Sequence, residues 1–464
     1  PIGKESLYAT QFKNLPIGQM EEKFADYGEV QIKQLNDRSK MYYTPNKENN
    51  VFQLVVQYGA GEREFPKLGY AAQLMNNAGI MGAYEPQELK EELSKLNATC
   101  HVTADDDNLY IIMEGYEATL PQACQLLSRQ ILMPKLDEKQ LARLKGSAMG
   151  MRQQRKDNVS ILNEALRQYM LYGEKSDYIK ELTDKEIYEL QISELTGDIN
   201  RASNYEAKVF FTGTLPFDQV YDILSKNLPL VANERPSNSP QAKDMMPVTE
   251  NTVYFLPNND AEQAQIHLYI PMQKADKKDD VLRSAFNQYF GLDFTGIVLN
   301  EIREKRSMAY TAYAFVGTQG IAGKASYLRG YIGTQNDKAN DALDVLMGLV
   351  NDMPKNPERI DNIKSYLRQA MLTSHPSFRN KAMELVDLGY RGYTDDPAKE
   401  NLPKVDALTF DDIVKFYEEN IKDKPYCISI MGNPKNIDLK RLEKFGKVVK
   451  LNERKLFNTK DALF

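Results

Sequence analysis

The spacing of apolar residues switches repeatedly between a period of two and a period near 3.6, the repeats that separate half-buried strands from amphipathic helices. PIGQMEEKFADYG (16–28) has helical spacing closed by Gly28, and VQIKQL (30–35) alternates like a strand. KMYYTPNKENNVFQLVVQYGAG (40–61) reads as two strands joined by a turn at Pro45-Asn46. KLGYAAQLMNNAG (67–79) and EPQELKEELSKLNA (85–98) read as helices, and TCHVTADDDNLYIIMEGY (99–116) as two strands around an acidic turn. A long helix is expected from about Leu120 to Leu132, and PKLDEKQLARLKGSAMGMRQQ (134–154) begins another.

This order recurs. Residues 108–149 and 326–371 each give a strand, a turn, a helix, a Met-Pro stop and a second helix, with Met133-Pro134 and Met353-Pro354 at matching points 220 residues apart (353 − 133). The chain reads as a duplication. PLVANERPSNSPQAKDMMP (229–247) is rich in Pro, Ser, Asn and charge and reads as a linker. The expected organisation is a first α+β domain at 1–230, a linker at 231–247 and a second α+β domain at 248–464. The second copy opens with the strands TVYFLPN (252–258) and AQIHLYIPM (264–272), followed by a helix near VLRSAFNQYFG (281–291). Strands followed by helices, without regular βαβ crossovers, predict two homologous domains, each a mostly antiparallel sheet covered by helices.

Composition narrows the function classes. A chain of 464 residues, 42% hydrophobic and 27% charged, is globular and too long for one core. A net charge of −6 argues against nucleic-acid and anionic-membrane partners, which need clustered positive charge. The one basic run, Arg143 to Lys156, reads as a solvated helix face. Cys100, Cys124 and Cys427 are widely spaced, without a CxxC pair, and read as small core residues. The sequence holds no run of eighteen apolar residues and no charged-then-apolar leader, so neither a membrane span nor a signal peptide is expected. A start at Pro1 rather than Met is what a piece of a longer polypeptide would show.

Common catalytic signatures fail. GTQGIAGKA (317–325) has the wrong spacing for a phosphate loop and Ala325 in place of Ser or Thr, so it reads as glycine turns in a hairpin. GSAMG (146–150) misplaces its serine for a nucleophile elbow and reads as helix interior. His101, His267 and His375 stand alone: two in strands, one in the turn-like SHPSF. Asp105, Asp106 and Asp107 read as a solvated hairpin tip rather than a cation site.

NEIREKRSMAYTAYAF (300–315) is the most informative stretch. Leu299 and Ile302 share one face of a helix, Ser307 and Met308 mark its end, and AYTAYAFV alternates as a strand with Tyr313 on the face opposite Tyr310. Tyr313 and Phe315 read as packing. Tyr327, Arg329 and Tyr331 alternate on one face of the following strand, either lining the same cavity or packing across strands. Arg303 and Tyr310 stand seven residues apart (310 − 303), an Arg near a helix C-terminus and a Tyr entering a strand.

With the duplication and the α+β halves, LNEIREKRSMAY resembles the pitrilysin and insulin-degrading enzyme family, the inverzincins, which includes the mitochondrial processing peptidases. The likeness runs over nearly the whole chain. It implies a clamshell of two halves around a peptide. One half binds zinc through H-x-x-E-H and a later Glu. The other contributes an Arg and a Tyr in a segment that Arg303 and Tyr310 match. The zinc-helix segment here is GYAAQLMNNAG, so Ala72, Met75 and Asn76 stand where the first His, the Glu and the second His would be, and none can ligate. No Asp or Glu occurs between Glu138 and Asp157 to serve as the later ligand.

The resemblance therefore implies the non-catalytic half of a zinc metalloendopeptidase: no metal on this chain, no activity alone, and a peptide substrate. Zinc is expected on a catalytic partner half, in the same polypeptide or as a separate subunit. Peptide hydrolysis explains the two residue types: Tyr310 can donate to the oxyanion that develops on the scissile carbonyl, and Arg303 can hold neighbouring backbone carbonyls. A catalytically inert scaffold or peptide-holding protein of the same fold is the alternative.

Overall fold

A computed structural model describes residues 21–291 and 295–460. Its strands are β1 (Gln31–Gln34), β2 (Lys40–Pro45), β3 (Val51–Tyr58), β4 (Gly79–Ile80), β5 (Ala98–Ala104), β6 (Leu109–Tyr116), β7 (Pro134–Lys135) and β8 (Ala207–Gly213), then β9 (Thr252–Pro257), β10 (Gln263–Lys274), β11 (Ala309–Thr318), β12 (Ala325–Gln335), β13 (Cys427–Gly432) and β14 (Lys447–Lys450). One six-stranded sheet runs β1-β2-β8-β3-β6-β5 and the other β11-β12-β10-β13-β9-β14, with β4 and β7 a small ribbon.

Read from opposite edges, five strands of each sheet correspond: β5-β6-β3-β8-β2 and β11-β12-β10-β13-β9. The pairing senses agree strand for strand, antiparallel throughout except for the parallel β2–β8 and β9–β13 pairs. The duplication read from the Met-Pro stops is thus a duplication of topology. The sixth strand differs, since β1 joins β2 antiparallel and β14 joins β9 parallel.

Each sheet buries one face under its own helices. In the first, Phe52, Leu54, Ile111, Met113 and Phe211 pack beneath the helices Leu68–Met75, Leu120–Leu132 and Ile192–Ala202. In the second, Ile266, Leu268, Ala312, Leu328 and Ile332 pack beneath Asp280–Phe290 and Ala339–Asn351. The opposite faces are covered by exchange. The helix Val159–Tyr172, from the first copy, lays Leu162, Ala165 and Leu166 on Leu256 and Met431 of the second sheet. The helix Lys381–Tyr390, from the second copy, lays Ala382, Met383 and Val386 on Val55, Phe210 and Ile112 of the first.

Three expectations are revised. The described part of the proposed helix at 16–28 has no regular secondary structure up to a short 3-10 turn at Tyr27–Glu29, and residues 16–20 lie outside the described residues. Tertiary bonds set this segment: Ala25 N–H donates to Asp396 (2.7 Å) and Lys381 donates to Glu29 (2.5 Å). Next, β2 and β3 follow each other in sequence without pairing, because β8 lies between them. Lastly, the basic run is partly paired: Arg152 bonds Asp184 and Arg155 bonds Glu181.

Candidate functional site

The stretch that carries Arg303 and Tyr310 holds three backbone irregularities in sequence. Residues Asn300–Glu304 form a π-helix continuing the short helix Ile297–Leu299, where a regular α-helix was expected. Buried Leu299 and Ile302 anchor its inner face, as their spacing predicts. Ser307 then takes a left-handed conformation, φ 50°. Its N–H donates to Arg303 O (2.8 Å) and that of Met308 to Ile302 O (2.9 Å), folding the entering strand back beside the helix end. Thr334 Oγ1 and Lys338 Nζ hold the same turn through Met308 O and Ser307 O. Single π turns and non-glycine residues at positive φ concentrate at functional sites, because the surrounding fold must hold them against their intrinsic cost.

The third irregularity is a β-bulge. Ala309 pairs with Thr334 and Thr311 with Gly333, which leaves Tyr310 as an extra residue. Thr334 lies on the core face with Ile332, and Gly333 on the outer face, so Tyr310 and Thr311 both point outward. Below the bulge Tyr313 and Phe315 also face outward, opposite Tyr331 and Arg329, while Ala312, Ala314 and Val316 are buried. Tyr310 and Tyr313 therefore share a face, contrary to strict alternation. The extra residue shifts the parity of the strand by one.

Both candidate side chains reach solvent. Tyr310 is 63% exposed, and the Arg303 side chain is 44% exposed with one loose contact, Nε to Glu304 Oε1 at 3.4 Å. Glu301, the more shielded acid, takes Lys305 (2.6 Å) and Arg306 (2.5 Å) instead. Those hydrogen bonds hold its carboxyl below the usual range, Lys305 contributing first. Arg303 is thus left available. Neither residue lines the cavity of 380 Å³ around Asp280, Arg283 and Arg391 or that of 620 Å³ around Glu62, Lys175 and Tyr178.

Ala72, Met75 and Asn76 are put to structural use. Ala72 and Met75 are buried in the first core. Asn76 accepts from Val102 N–H (2.8 Å) and donates to Val102 O (2.9 Å), closing part of β5, the edge strand of the first sheet. A cavity of 360 Å³ beside them is lined by Met75, Asn76, Leu89, Cys100 and Gln130. Burial pushes the Cys100 thiol up to about 12, so it offers no thiolate. Two hydrocarbon or thioether side chains in a packed core and an amide engaged on both sides do not fit a zinc ion.

The acidic run and the glycine turns lie in the expected elements, except that the acidic tip is not simply solvated: Arg63 pairs with Asp106 (3.0 Å) and with Asp107 (3.3 Å). Asp105 accepts from Asp107 N–H, Asn108 N–H and Tyr110 OH, which makes the acidic run the tip of the β5–β6 hairpin. Gly320 and Gly323, at φ 73° and 74°, turn β11 into β12, and Gly146 and Gly150 lie within the helix Glu138–Gln153. Two features escaped the sequence reading: the Asn76 clamp, which pairs residues far apart in the chain, and the bulge at Tyr310, which leaves no mark on residue type.

Residues 203–367, which include Arg303 and Tyr310, match the family model described as peptidase M16 inactive domain. None of the curated proteins matches the chain in sequence at a significant level. Among solved structures it is similar to a peptidase M16 inactive domain from Pseudomonas fluorescens, at 17% identity and TM-score 0.67, covering 88% of this chain and 99% of that one. It is also similar to a mutant of the ferredoxin protease FusC in complex with Arabidopsis ferredoxin, at 12% identity and TM-score 0.67, covering 92% of this chain and 49% of that one. The periplasmic protease PqqL from Escherichia coli matches at 12% identity and TM-score 0.66, with 92% of this chain and 50% of that one covered. The chain spans about half the length of these two proteases. The family match and the shared fold bear out the resemblance to the non-catalytic half of a pitrilysin-type peptidase.

Proposed function

From a chain whose residues 203–367 match the peptidase M16 inactive domain, we propose a substrate-binding half of a zinc metalloendopeptidase. It works with a catalytic half that carries the zinc and H-x-x-E-H, in the same polypeptide or as a separate subunit. The observation that carries the reading is the outward presentation of Tyr310 by a β-bulge, beyond a π-helix that exposes Arg303.

The chemistry assigned to each residue follows from its groups. When a peptide carbonyl is attacked, negative charge grows on its oxygen, and a neutral phenol on a rigid strand is a donor that needs little rearrangement to meet it. Tyr310 supplies that donor. Arg303 has five N–H groups in a fixed fork and no strong competitor for them, so it can hold backbone carbonyls of an extended peptide in register. Zinc supplies the water activation from the companion half, and no residue at positions 72, 75 or 76 takes part in it.

The test joins this chain to its catalytic half. Tyr310→Phe should lower kcat by about 10²- to 10³-fold. Arg303→Ala should lower kcat/KM by at least about tenfold, and metal content should be unchanged in both. Wild-type rates in both variants would remove the proposed roles and leave the inert scaffold.

A further inference from the structure

Arg329 stands at the middle of β12, opposite Phe315 on β11 and Tyr269 on β10. Tyr327 and Tyr331 flank it two residues away on the same outer face, and the Tyr313 ring lies 5.3 Å from that of Tyr331 and 6.0 Å from that of Phe315. This aromatic surface continues along β11 to the bulge at Tyr310. The helix Val159–Tyr172 packs on β9, β13 and β10, with Tyr327 at its rim, and none of its buried packing partners is on β11.

Within this surface Arg329 keeps one buried guanidinium nitrogen unsatisfied. Its Nε is buried without a hydrogen bond, and no carboxylate among the described residues forms an ion pair with it. Its cationic neighbour Arg167 is held by Glu164, with Nε to Oε2 at 2.7 Å. Both guanidiniums act on His267, whose imidazole is pushed down by burial first and by these charges second. A buried guanidinium N–H ordinarily has an acceptor, because burial without one leaves its desolvation uncompensated. Its planar fork matches a carboxylate, and on the β11 side the rings of Tyr331, Tyr313 and Phe315 line the path of a chain running past, while Tyr327 packs toward Tyr172 and Met245. An extended peptide repeats its side chains every second residue, the spacing of Tyr327, Arg329 and Tyr331.

We infer that Arg329 is a specificity-determining residue that takes the side-chain carboxylate of an Asp or Glu in an extended peptide lying on the outer face of β11 and β12. The inference rests on the peptide-binding role proposed above and adds the class of peptide preferred.

The test is fluorescence anisotropy on the full chain without a catalytic half. The probes are dye-labelled, C-terminally amidated dodecapeptides of Ala, Ser and Thr with one central glutamate, or glutamine in its place. The glutamate peptide should bind about tenfold tighter or more, the range of a charge-assisted hydrogen bond. Arg329→Gln should bring the ratio to about one while leaving the affinity for the glutamine peptide and the melting temperature unchanged. Arg329→Lys, which keeps the charge and loses the fork, should retain part of the ratio and serves if the glutamine variant folds poorly. Equal affinities in the wild type, a ratio that survives Arg329→Gln, or no binding of either peptide overturns the inference. So does a glutamine peptide with a free C-terminal carboxylate that binds as tightly as the glutamate peptide. The hydrolysis defects expected of Arg303→Ala and Tyr310→Phe are read separately and stand or fall on their own.

Discussion

His267 shows how one side chain can take its meaning from neighbours that are remote in sequence. It lies 3% exposed on β10, with Nε2 3.0 Å from Asn163 Oδ1 on the exchanged helix and its ring 5.1 Å from that of Tyr331. Burial, then Arg329 and Arg167, lowers its pKa from 6.5 to about 3. An unfolded chain protonates this imidazole below about pH 6.5, whereas the folded chain resists until about pH 3. The stability it contributes is therefore complete above pH 6.5 and lost as the pH falls toward 3. Thermal melts at pH 7, 5.5 and 4 should show the wild type losing stability faster than His267→Gln. Parallel curves would mean that the ring is not held neutral. Its isolation from other histidines was legible in the sequence. Its burial under a helix about one hundred residues upstream was not.

At the scale of the element, the segment 300–315 combines a pattern that sequence could read with geometry it could not. The inward faces follow from periodicity: Leu299 and Ile302 in the helix, Ala312, Ala314 and Val316 in the strand. The π turn, the left-handed Ser307 and the bulge come from fitting that helix end to β12, through Thr334 and Lys338. L-residues are disfavoured in the left-handed region by roughly 1–2 kcal/mol, while glycine also loses backbone entropy on folding. Ser307→Gly should accordingly raise stability by up to about 1 kcal/mol in denaturant unfolding, and Ser307→Val should lower it by a similar amount or more. If Ser307→Val proves neutral, the turn is not constrained as described. The same reasoning explains the revised face of Tyr313, since alternation gives a side chain's direction only as long as the ladder stays in register.

For the whole molecule the decisive feature is the exchange of helices between the two copies. Val159–Tyr172 covers the outer face of the second sheet, and Lys381–Tyr390 covers that of the first. Each sheet then depends on the other copy to cover one of its faces, so the two should unfold together. Calorimetry should give one transition with matching calorimetric and van't Hoff enthalpies. Leu166→Ala, which removes a fully buried side chain from the exchanged helix, should lower that single transition, at a cost of about 2–5 kcal/mol. Two separated transitions, only one of them moved by the substitution, would show the exchange to be energetically minor.

The sequence by itself determined the α+β class, the repeat, the core-facing positions, the lack of ligating side chains at 72, 75 and 76, and the candidacy of Arg303 and Tyr310. All of these follow from residue type and short-range period. Tertiary structure alone decided which strands lie side by side, which copy covers which sheet, and the outward aim of Tyr310. It also left Arg329 without a carboxylate among the described residues and turned Asn76 into a clamp on Val102. The physical reason is that hydrogen-bonded register and helix docking depend on surfaces contributed by residues hundreds of positions apart. A local pattern specifies only which face is apolar, not what it meets.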